Sequence, residues 1–318
     1  LEKLSSALPS YIDGCDGADA ARAGYLAKAD LVTGMVGEFP ELQGIIGGYY
    51  ARHDGEPDSI ATAIAAHYRP QGPADDVPQT PTAKAVALAD KIDTLVGFFG
   101  IGAKPTGSKD PFALRRAALG VIRIILDGKL SVPLQKLLDK AAENYGFAAV
   151  DNDVLPFIRD RLRVYLRDQN MRHDIVAAVL ADAGGDDLRR MADETRSLAE
   201  FLENVDGLGL IAGWRRVSSM LAAEEKKAKH AFAATTDPAL FNDIEHALHS
   251  ALTGLPDSDA GFAAQLAALG DLRAPIDRFF DGIVVNDDDP AVRLNRLGLL
   301  AMIREKMQLV ADFTKIEG

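Results

Sequence analysis

The sequence is poor in cysteine, since Cys15 is the only one among 318 residues. A single cysteine excludes a disulfide or a thiolate zinc site within one chain and is typical of proteins in a reducing cytosol. No apolar run reaches the roughly 20 residues that a membrane-spanning helix requires. The chain begins at Leu1 rather than methionine and shows no signal-like segment. We therefore expect a cytoplasmic protein, of which this chain is a fragment.

The chain also has fewer positive than negative residues: it contains 35 Lys and Arg residues and 47 Asp and Glu residues, which give a net charge of −12. This balance disfavours non-specific attraction to DNA, RNA or an anionic membrane, but it permits a local basic surface. Apolar residues make up 47% of the chain, which is enough for a proper core. The length suggests two domains.

Alternation of apolar and polar residues is scarce, whereas helical patterns are frequent. Leu31, Met35 and Phe39 keep helical spacing. A capping residue followed by proline precedes a helical pattern at four places: Thr80-Pro81, Asp110-Pro111, Asp237-Pro238 and Asp289-Pro290. Loops are predicted at 69–81 and 255–261, and an interruption at 144–154 suggests a domain boundary. We predict an all-α protein with domains at 1–145 and 146–318.

The most specific segment is residues 105–120, which read PTGSKDPFALRRAALG. Glycine and proline predict a loop, after which Asp110 should cap a helix that begins at Pro111 and ends near Gly128. Phe112 and Leu114 start the predominantly apolar surface of that helix. Residues 102–109 only approximate a phosphate-binding loop, because Lys109 comes one place too late after the glycine.

The segment 105–120 resembles the signature of the β subunit of bacterial glycyl-tRNA synthetase, the kind built from separate α and β chains. Further matching pieces lie at 27–33, 37–44, 50–56, 63–68 and 89–95. The resemblance implies that residues 1–145 form a degenerate HD-type helical domain. It also implies that the glycine and ATP site, with its Mg²⁺, belongs to the α subunit, so this chain would hold no catalytic residue or cofactor. The basic residues of the signature, whose role it leaves open, are Lys104, Lys109, Arg115 and Arg116.

HD phosphohydrolases bind a divalent metal through a histidine, an adjacent His-Asp pair and a later aspartate, and such a metal can activate a water molecule. The resemblance places the remnants of these ligands at Asp30, His67, Asp90 and Asp93. The pair lacks its histidine, since the segment reads Lys28-Ala29-Asp30, and the lysine would oppose a cation. We expect structural roles for these residues and no metal; a metal-dependent phosphohydrolase is the alternative.

Residues 146–318 resemble the helical anticodon-binding domain of the same β subunit. At 157–166 the sequence predicts a helix with an apolar stripe that includes Ile158 and Leu162. Arg159, Arg163 and Arg167 are spaced by four residues and should share another face. Guanidinium groups suit phosphate, because each is a planar fork of donors, but acidic neighbours including Asp160, Asp168 and Asp182 could equally pair with them.

A second basic cluster is predicted to bind RNA and consists of Arg215, Arg216, Lys226 and Lys227. Because the lysines follow Glu224 and Glu225, pairing within one exposed helix is the alternative. Trp214 precedes it and could stack on a base or pack in the core. The resemblance as a whole implies that the chain is a tRNA-binding and assembly part of glycine–tRNA ligase. Its expected partners are tRNA for glycine and the α subunit, and it is expected to bind neither DNA nor a membrane. A purely structural helical scaffold is the remaining alternative.

Overall fold

The computed structural model describes residues 1–181, 185–256 and 258–317, and 69% of it is helical, which confirms the predicted all-α class. A single bridge between Thr106 and Lys109 is the extent of β pairing in these ranges. None of the described helices combines the length and apolar character needed to cross a membrane.

The first part of the chain folds into short helices around one long helix. The helices are α1 Glu2–Ser5, α2 Gly17–Leu26, α3 Gly34–Glu38, α4 Ile45–His53, α5 Asp58–Ala66, α6 Pro81–Gly100, α7 Leu114–Asp127, α8 Leu134–Tyr145 and α9 Val154–Asp168. Three 3-10 helices separate the shorter ones, at Pro9–Tyr11, Ala29–Val32 and Pro40–Leu42.

Helix α6 forms the centre of this part. Thr80 accepts a hydrogen bond from the Ala83 amide (3.3 Å) and Pro81 occupies the first helical position, so the predicted cap is confirmed. The helix contacts α1, α2, α5, α7, α8 and α9. Its alanines allow these neighbours to approach closely, and its larger apolar side chains, such as Leu88 and Ile92, are fully buried. A helix that is enclosed on most sides must be apolar around most of its circumference.

The signature helix begins later than the sequence indicates. Asp110 does accept the first free amides, those of Leu114 (2.8 Å) and Arg115 (2.9 Å), but Pro111 and Phe112 lie in a turn and α7 starts at Leu114. The prediction that Pro111 opens the helix is therefore wrong. Phe112 is 46% exposed and stacks on Phe98 rather than entering the core.

The second part of the chain is also helical. Its helices are α10 His173–Leu180, α11 Leu188–Glu203, α12 Val205–Ala228, α13 Asp243–Thr253, α14 Phe262–Asp271, α15 Arg273–Gly282 and α16 Pro290–Gln308. Short 3-10 helices lie at Pro238–Leu240, Ser258–Ala260 and Phe313–Lys315. The Asp289-Pro290 start is confirmed, whereas Asp237-Pro238 opens only a 3-10 turn and α13 begins after Asn242.

Helix α12 packs against α14, α15 and α16 around a core that includes Leu300, Phe279 and Met307. Trp214 belongs to this core and is only 3% exposed. Of its two sequence-based interpretations, packing is therefore confirmed, and base stacking is excluded because the ring is covered by protein.

The described chain forms two compact units. The first holds Leu1–Gln169 and the start of α11 through Ala192; the second holds residues 170–181, the rest of α11 and the chain beyond it. The division therefore falls after α9 and not at residue 145, as the sequence suggested. The reason is that α9 buries its apolar stripe (Val154, Ile158 and Leu162) and packs on α6 and α7.

Helices α4 and α5 pack so closely at Gly48 that a larger residue should destabilise the first unit. A Cβ added at Gly48 would lie 2.7 Å from the Ala61 carbonyl oxygen and 2.8 Å from the Ala65 Cβ. Because the first of these is a backbone atom, the helices must move apart, and we expect Gly48→Ala to lower the free energy of unfolding by about 2 kcal/mol.

Urea denaturation followed by circular dichroism measures this loss. Gly37→Ala in α3 is the matched control, because no described atom lies within 4 Å of the Cβ it would add. We expect its stability to be unchanged or slightly raised, since alanine favours a helix over glycine. Equal stabilities of the two variants would contradict the close packing.

Candidate nucleic-acid interface

Three of the four remnant HD-type residues lie in one buried polar cluster of the first unit. Asp30, in the 3-10 helix Ala29–Val32, is 2% exposed and accepts a hydrogen bond from the Gly44 amide (2.6 Å). Gly44 has a φ of 79° and lies against the Tyr68 ring, a combination that only glycine adopts without strain. The conformation of Gly44 therefore fixes the orientation of the Asp30 carboxylate.

His67 follows α5 and is completely buried. Its Nδ1 lies 2.6 Å from the Ile64 carbonyl oxygen, and its ring is 3.9 Å from that of Tyr68. Burial, and secondarily the positive charge of Lys28, lowers the pKa of His67 to about 4. The imidazole is thus neutral at physiological pH, with Nδ1–H as the donor to Ile64.

Lys28 lies at the centre of the cluster. Its ammonium is 2.6 Å from the Asp90 carboxylate and 3.8 Å from the centre of the Tyr68 ring. Such a cation is stabilised both by the carboxylate and by the face of the ring. Lys91 is buried beside it and donates to the Tyr68 carbonyl oxygen (3.1 Å); burial lowers the pKa of Lys91 to about 8.

This arrangement does not fit a divalent metal. The Lys28 ammonium already neutralises Asp90 and would repel a cation. Among the described residues, no three His, Cys, Asp or Glu side chains come together as a ligand set.

Asp93 lies apart from the cluster and accepts a hydrogen bond from the Tyr145 hydroxyl (2.8 Å). Burial of the Tyr145 ring, and secondarily the Asp93 carboxylate, raises the pKa of Tyr145. Tyr68, to which the sequence analysis gave no role, could have been noticed from its position next to His67.

Two of the basic residues of the signature segment are held by protein partners. Lys104 contacts the carboxylates of Asp151 and Asp153, each at 2.8 Å. Arg115 donates to the Gly107 carbonyl oxygen (2.6 Å) and so ties the start of α7 to the loop. Lys109 and Arg116 are exposed and have no side-chain partner within the described ranges. The segment therefore offers two accessible cations.

The three arginines on α9 have different environments. Arg159 is partly buried and donates to the Gly185 carbonyl oxygen, and burial lowers its pKa. Arg163 pairs with Asp160 at 2.6 Å. Arg167 is exposed in the last turn of the helix. The three guanidiniums therefore differ in availability, because a backbone oxygen engages Arg159 and a carboxylate engages Arg163, and their binding to RNA stays a prediction. Asp182, a possible partner in the sequence analysis, falls outside the described residues.

The four basic residues of α12 also separate into two kinds. Arg216 stacks over the Phe280 ring (4.4 Å) and lies 3.9 Å from Asp277 and 3.8 Å from Asp281. Lys227 pairs with the buried Glu224 at 2.6 Å, and this contact, together with Arg293 and Asn286, lowers the pKa of Glu224 to about 2.

Arg215 and Lys226, by contrast, are exposed and carry no side-chain partner within the described part of the chain. They are eleven residues apart, or about three helical turns, and therefore share one face of α12 at a separation of about 16 Å. The exposed residues between them on that face, Ser219 and Ala222, are small and uncharged. This face of α12 can approach an extended anion such as a phosphate backbone without a repelling carboxylate on the same stripe.

Comparison with known proteins identifies the family. The family model described as glycyl-tRNA synthetase beta subunit matches residues 1–181, more than half of the chain. The chain is also similar to the glycine–tRNA ligase beta subunit of Phenylobacterium zucineum (strain HLK1), with 50% identity over 306 residues. That alignment covers 94% of this chain and 44% of the relative, so the chain spans less than half of the relative's length. The chain therefore belongs to the glycyl-tRNA synthetase beta subunit family.

Proposed function

We propose that this chain is a tRNA-binding and assembly part of the glycine–tRNA ligase beta subunit. In this role it holds tRNA for glycine, while the α subunit carries out ATP- and Mg²⁺-dependent glycylation. The observation that carries the proposal is the pair Arg215 and Lys226, two accessible cations aligned on one face of α12 in a chain of net charge −12. Membership of the family supports a tRNA as the polyanionic partner of these cations.

Arg167 at the end of α9 and the signature residues Lys109 and Arg116 are the corresponding accessible cations of the first unit. Contacts of such side chains with phosphate fix the orientation of a nucleic acid but do not read its sequence. Recognition of the tRNA then depends on base contacts in single-stranded loops, which proteins make by stacking and hydrogen bonding.

The alternative of a metal-dependent phosphohydrolase is disfavoured by the Lys28–Asp90 contact, because the ammonium already neutralises a carboxylate that a metal would need as a ligand. A purely structural scaffold has more support than a phosphohydrolase, because protein atoms engage six of the predicted RNA-contacting or signature cations: Lys104, Arg115, Arg159, Arg163, Arg216 and Lys227. The scaffold and the RNA-binding proposal differ in one measurable property, the affinity for tRNA.

The double variant Arg215→Glu/Lys226→Glu is expected to weaken binding of tRNA for glycine about tenfold or more at low salt. Removing two phosphate contacts should also make the plot of the logarithm of the tRNA-binding constant against the logarithm of the salt concentration less steep, by about two units of slope. Filter binding at several salt concentrations measures both quantities. The fold should remain intact, because both side chains are exposed.

The control is Lys3→Glu/Lys136→Glu, which makes the same change in net charge at two exposed lysines of the first unit. We expect its tRNA affinity to stay within about twofold of the wild type, as surface charges away from a contact are strongly screened. If both double variants bind tRNA like the wild-type chain, α12 is not the RNA surface. If the wild-type chain itself has no measurable affinity for tRNA, the scaffold interpretation is correct.

A further inference from the structure

The first unit presents an exposed apolar surface that the proposed RNA binding does not use. It consists of Leu31, Val32, Met35, Phe39, Ile45 and Tyr49, and we name it the 31–49 face. Val32 is 91% exposed and Tyr49 is 63% exposed. Exposed apolar residues are ordinary when isolated, but several in one segment mark an interaction site.

The local structure explains why these side chains cannot turn inward. The sequence pattern suggested one helical stripe, but Gly34, Gly37 and Pro40 divide the segment into α3 and two 3-10 helices. Helix α3 contacts both 3-10 helices, and α4 contacts the first of them, so these elements lie side by side. Five-residue helices bury few side chains; within α3 only Val36 is buried.

Helix α4 adds to the same surface because it packs through glycine. Gly47, Gly48 and Ala51 form its buried side, which leaves Ile45 and Tyr49, four residues apart, on the outer side. In α4 the large side chains of Ile45 and Tyr49 therefore point to solvent, while the small residues pack inside. This is the reverse of the distribution expected for a surface that remains in water.

The charges of the face disfavour a nucleic-acid partner. Between Lys28 and Arg52 there is no lysine or arginine, and the exposed charged residues of the interval are Glu38 and Glu41. The cations at its edges are already paired, Lys28 with Asp90 (2.6 Å) and Arg52 with Asp58 (2.7 Å). Phosphate binding requires available positive charge, which this surface lacks.

We propose that the 31–49 face is the surface through which this chain docks the glycyl-tRNA synthetase α subunit. The inference rests on the proposed function, which makes the α subunit the partner. The α subunit would contribute an apolar patch bordered by lysine or arginine side chains, complementary to Glu38 and Glu41. Exposed Tyr, Phe and Met side chains are typical of the centre of protein–protein interfaces.

Titration of the full chain with the purified α subunit of the same organism, by calorimetry, tests the proposal. Val32→Lys and Tyr49→Lys each place a lysine ammonium in the 31–49 face, where it would be repelled by the basic border of the α subunit. Each substitution also removes apolar contact area. We expect each to weaken α-subunit binding tenfold or more, as loss of a central interface residue does. Tyr49 and Val32 are exposed, so the melting temperature of each variant should match that of the wild type.

The matched control is Val284→Lys, the same substitution at a valine of the second unit that is 72% exposed. We expect it to leave the affinity for the α subunit unchanged. Equal binding of the α subunit by wild type, Val32→Lys and Tyr49→Lys overturns the docking surface but leaves the proposed function intact. Two other results also overturn the docking surface when α-subunit binding is unchanged. Loss of affinity for tRNA in the variants assigns the face to RNA, and loss of self-association assigns it to a second copy of the chain.

If the proposed function is wrong, the result is different: the wild-type chain itself binds neither the α subunit nor tRNA. The 31–49 face is then not a docking surface for the α subunit either. If Val32→Lys unfolds, Tyr49→Lys together with Glu38→Lys supplies the same comparison, because both positions are exposed.

Discussion

Replacing Arg296 with methionine should lower the free energy of unfolding of the second unit by about 3–5 kcal/mol, the usual cost of leaving one partner of a buried ion pair alone. Arg296 lies on α16 and is 9% exposed. Its guanidinium contacts Glu245 and Asp287, each at 2.6 Å, and donates to the Val284 carbonyl oxygen at 2.8 Å. Without it, the Glu245 carboxylate would be buried with no compensating charge.

Glu245 also belongs to the capping box of α13, in which it accepts from the Asn242 amide (2.8 Å) while Asn242 accepts from the Glu245 amide. The double variant Arg296→Met/Glu245→Gln should therefore recover part of the loss, because glutamine keeps the capping bond and removes the stranded charge. Urea denaturation followed by Trp214 fluorescence measures these changes, since that single tryptophan lies in the core of the second unit.

Arg273→Met is the control for a weak ion pair in the same unit. Arg273 pairs with Asp206 at 3.3 Å, and both side chains are substantially exposed, at 37% and 71%. Such exposed pairs contribute about 0.2–1 kcal/mol. A loss at Arg296 as small as the loss at Arg273 would show that the buried pair does not hold α13, α16 and the 284–287 segment together.

Acidification from pH 7 to pH 5 should destabilise the first unit through His67. The pKa of this residue is about 4 in the folded chain and about 6.5 when unfolded, so the unfolded state binds more protons throughout the interval between these values. Stability therefore falls as the pH decreases through this interval, by about 2 kcal/mol at pH 5 and by about 3 kcal/mol once the pH is below 4. The full shift applies because the ring is completely buried.

Urea denaturation followed by circular dichroism at pH 7, 6 and 5 measures the effect. In His67→Asn the amide can still donate to the Ile64 carbonyl oxygen but does not titrate. We expect this variant to be less stable at pH 7 and to show a flatter pH dependence. His230→Asn, at an exposed histidine, should keep the wild-type slope. An unchanged slope in His67→Asn would mean that another group causes the pH dependence.

Several local features follow directly from sequence. The cap at Thr80-Pro81, the apolar stripe of α9 and the loop before α6 appear as predicted. These depend on residues within one or two turns of each other, because capping, proline geometry and helical periodicity are short-range effects. The same reasoning misplaced the start of α7 by three residues, since Asp110 can satisfy the free amides from outside the helix as well as from its cap position.

Whether each basic side chain is paired with protein atoms or accessible to solvent could not be predicted from the sequence in the same way. Arg159, Arg163 and Arg167 have identical spacing, yet one bonds a carbonyl 26 residues away, one bonds the adjacent carboxylate and one is exposed. Arg215 and Arg216 are neighbours, yet only the second lies over Phe280. Consecutive helical residues point about 100° apart, so the packing of the other helices decides which of them gains a partner.

The helical class of this chain, the starts of α6 and α16 and the family could all be inferred from the sequence, because local periodicity and a specific motif carry that information. The neutralisation of Asp90 by Lys28, the burial of Trp214 and the exposure of the 31–49 face became visible only in the folded chain. Each of these depends on side chains that meet across distant parts of the chain. Their contact energies are set by burial and geometry, which become defined only when the helices pack.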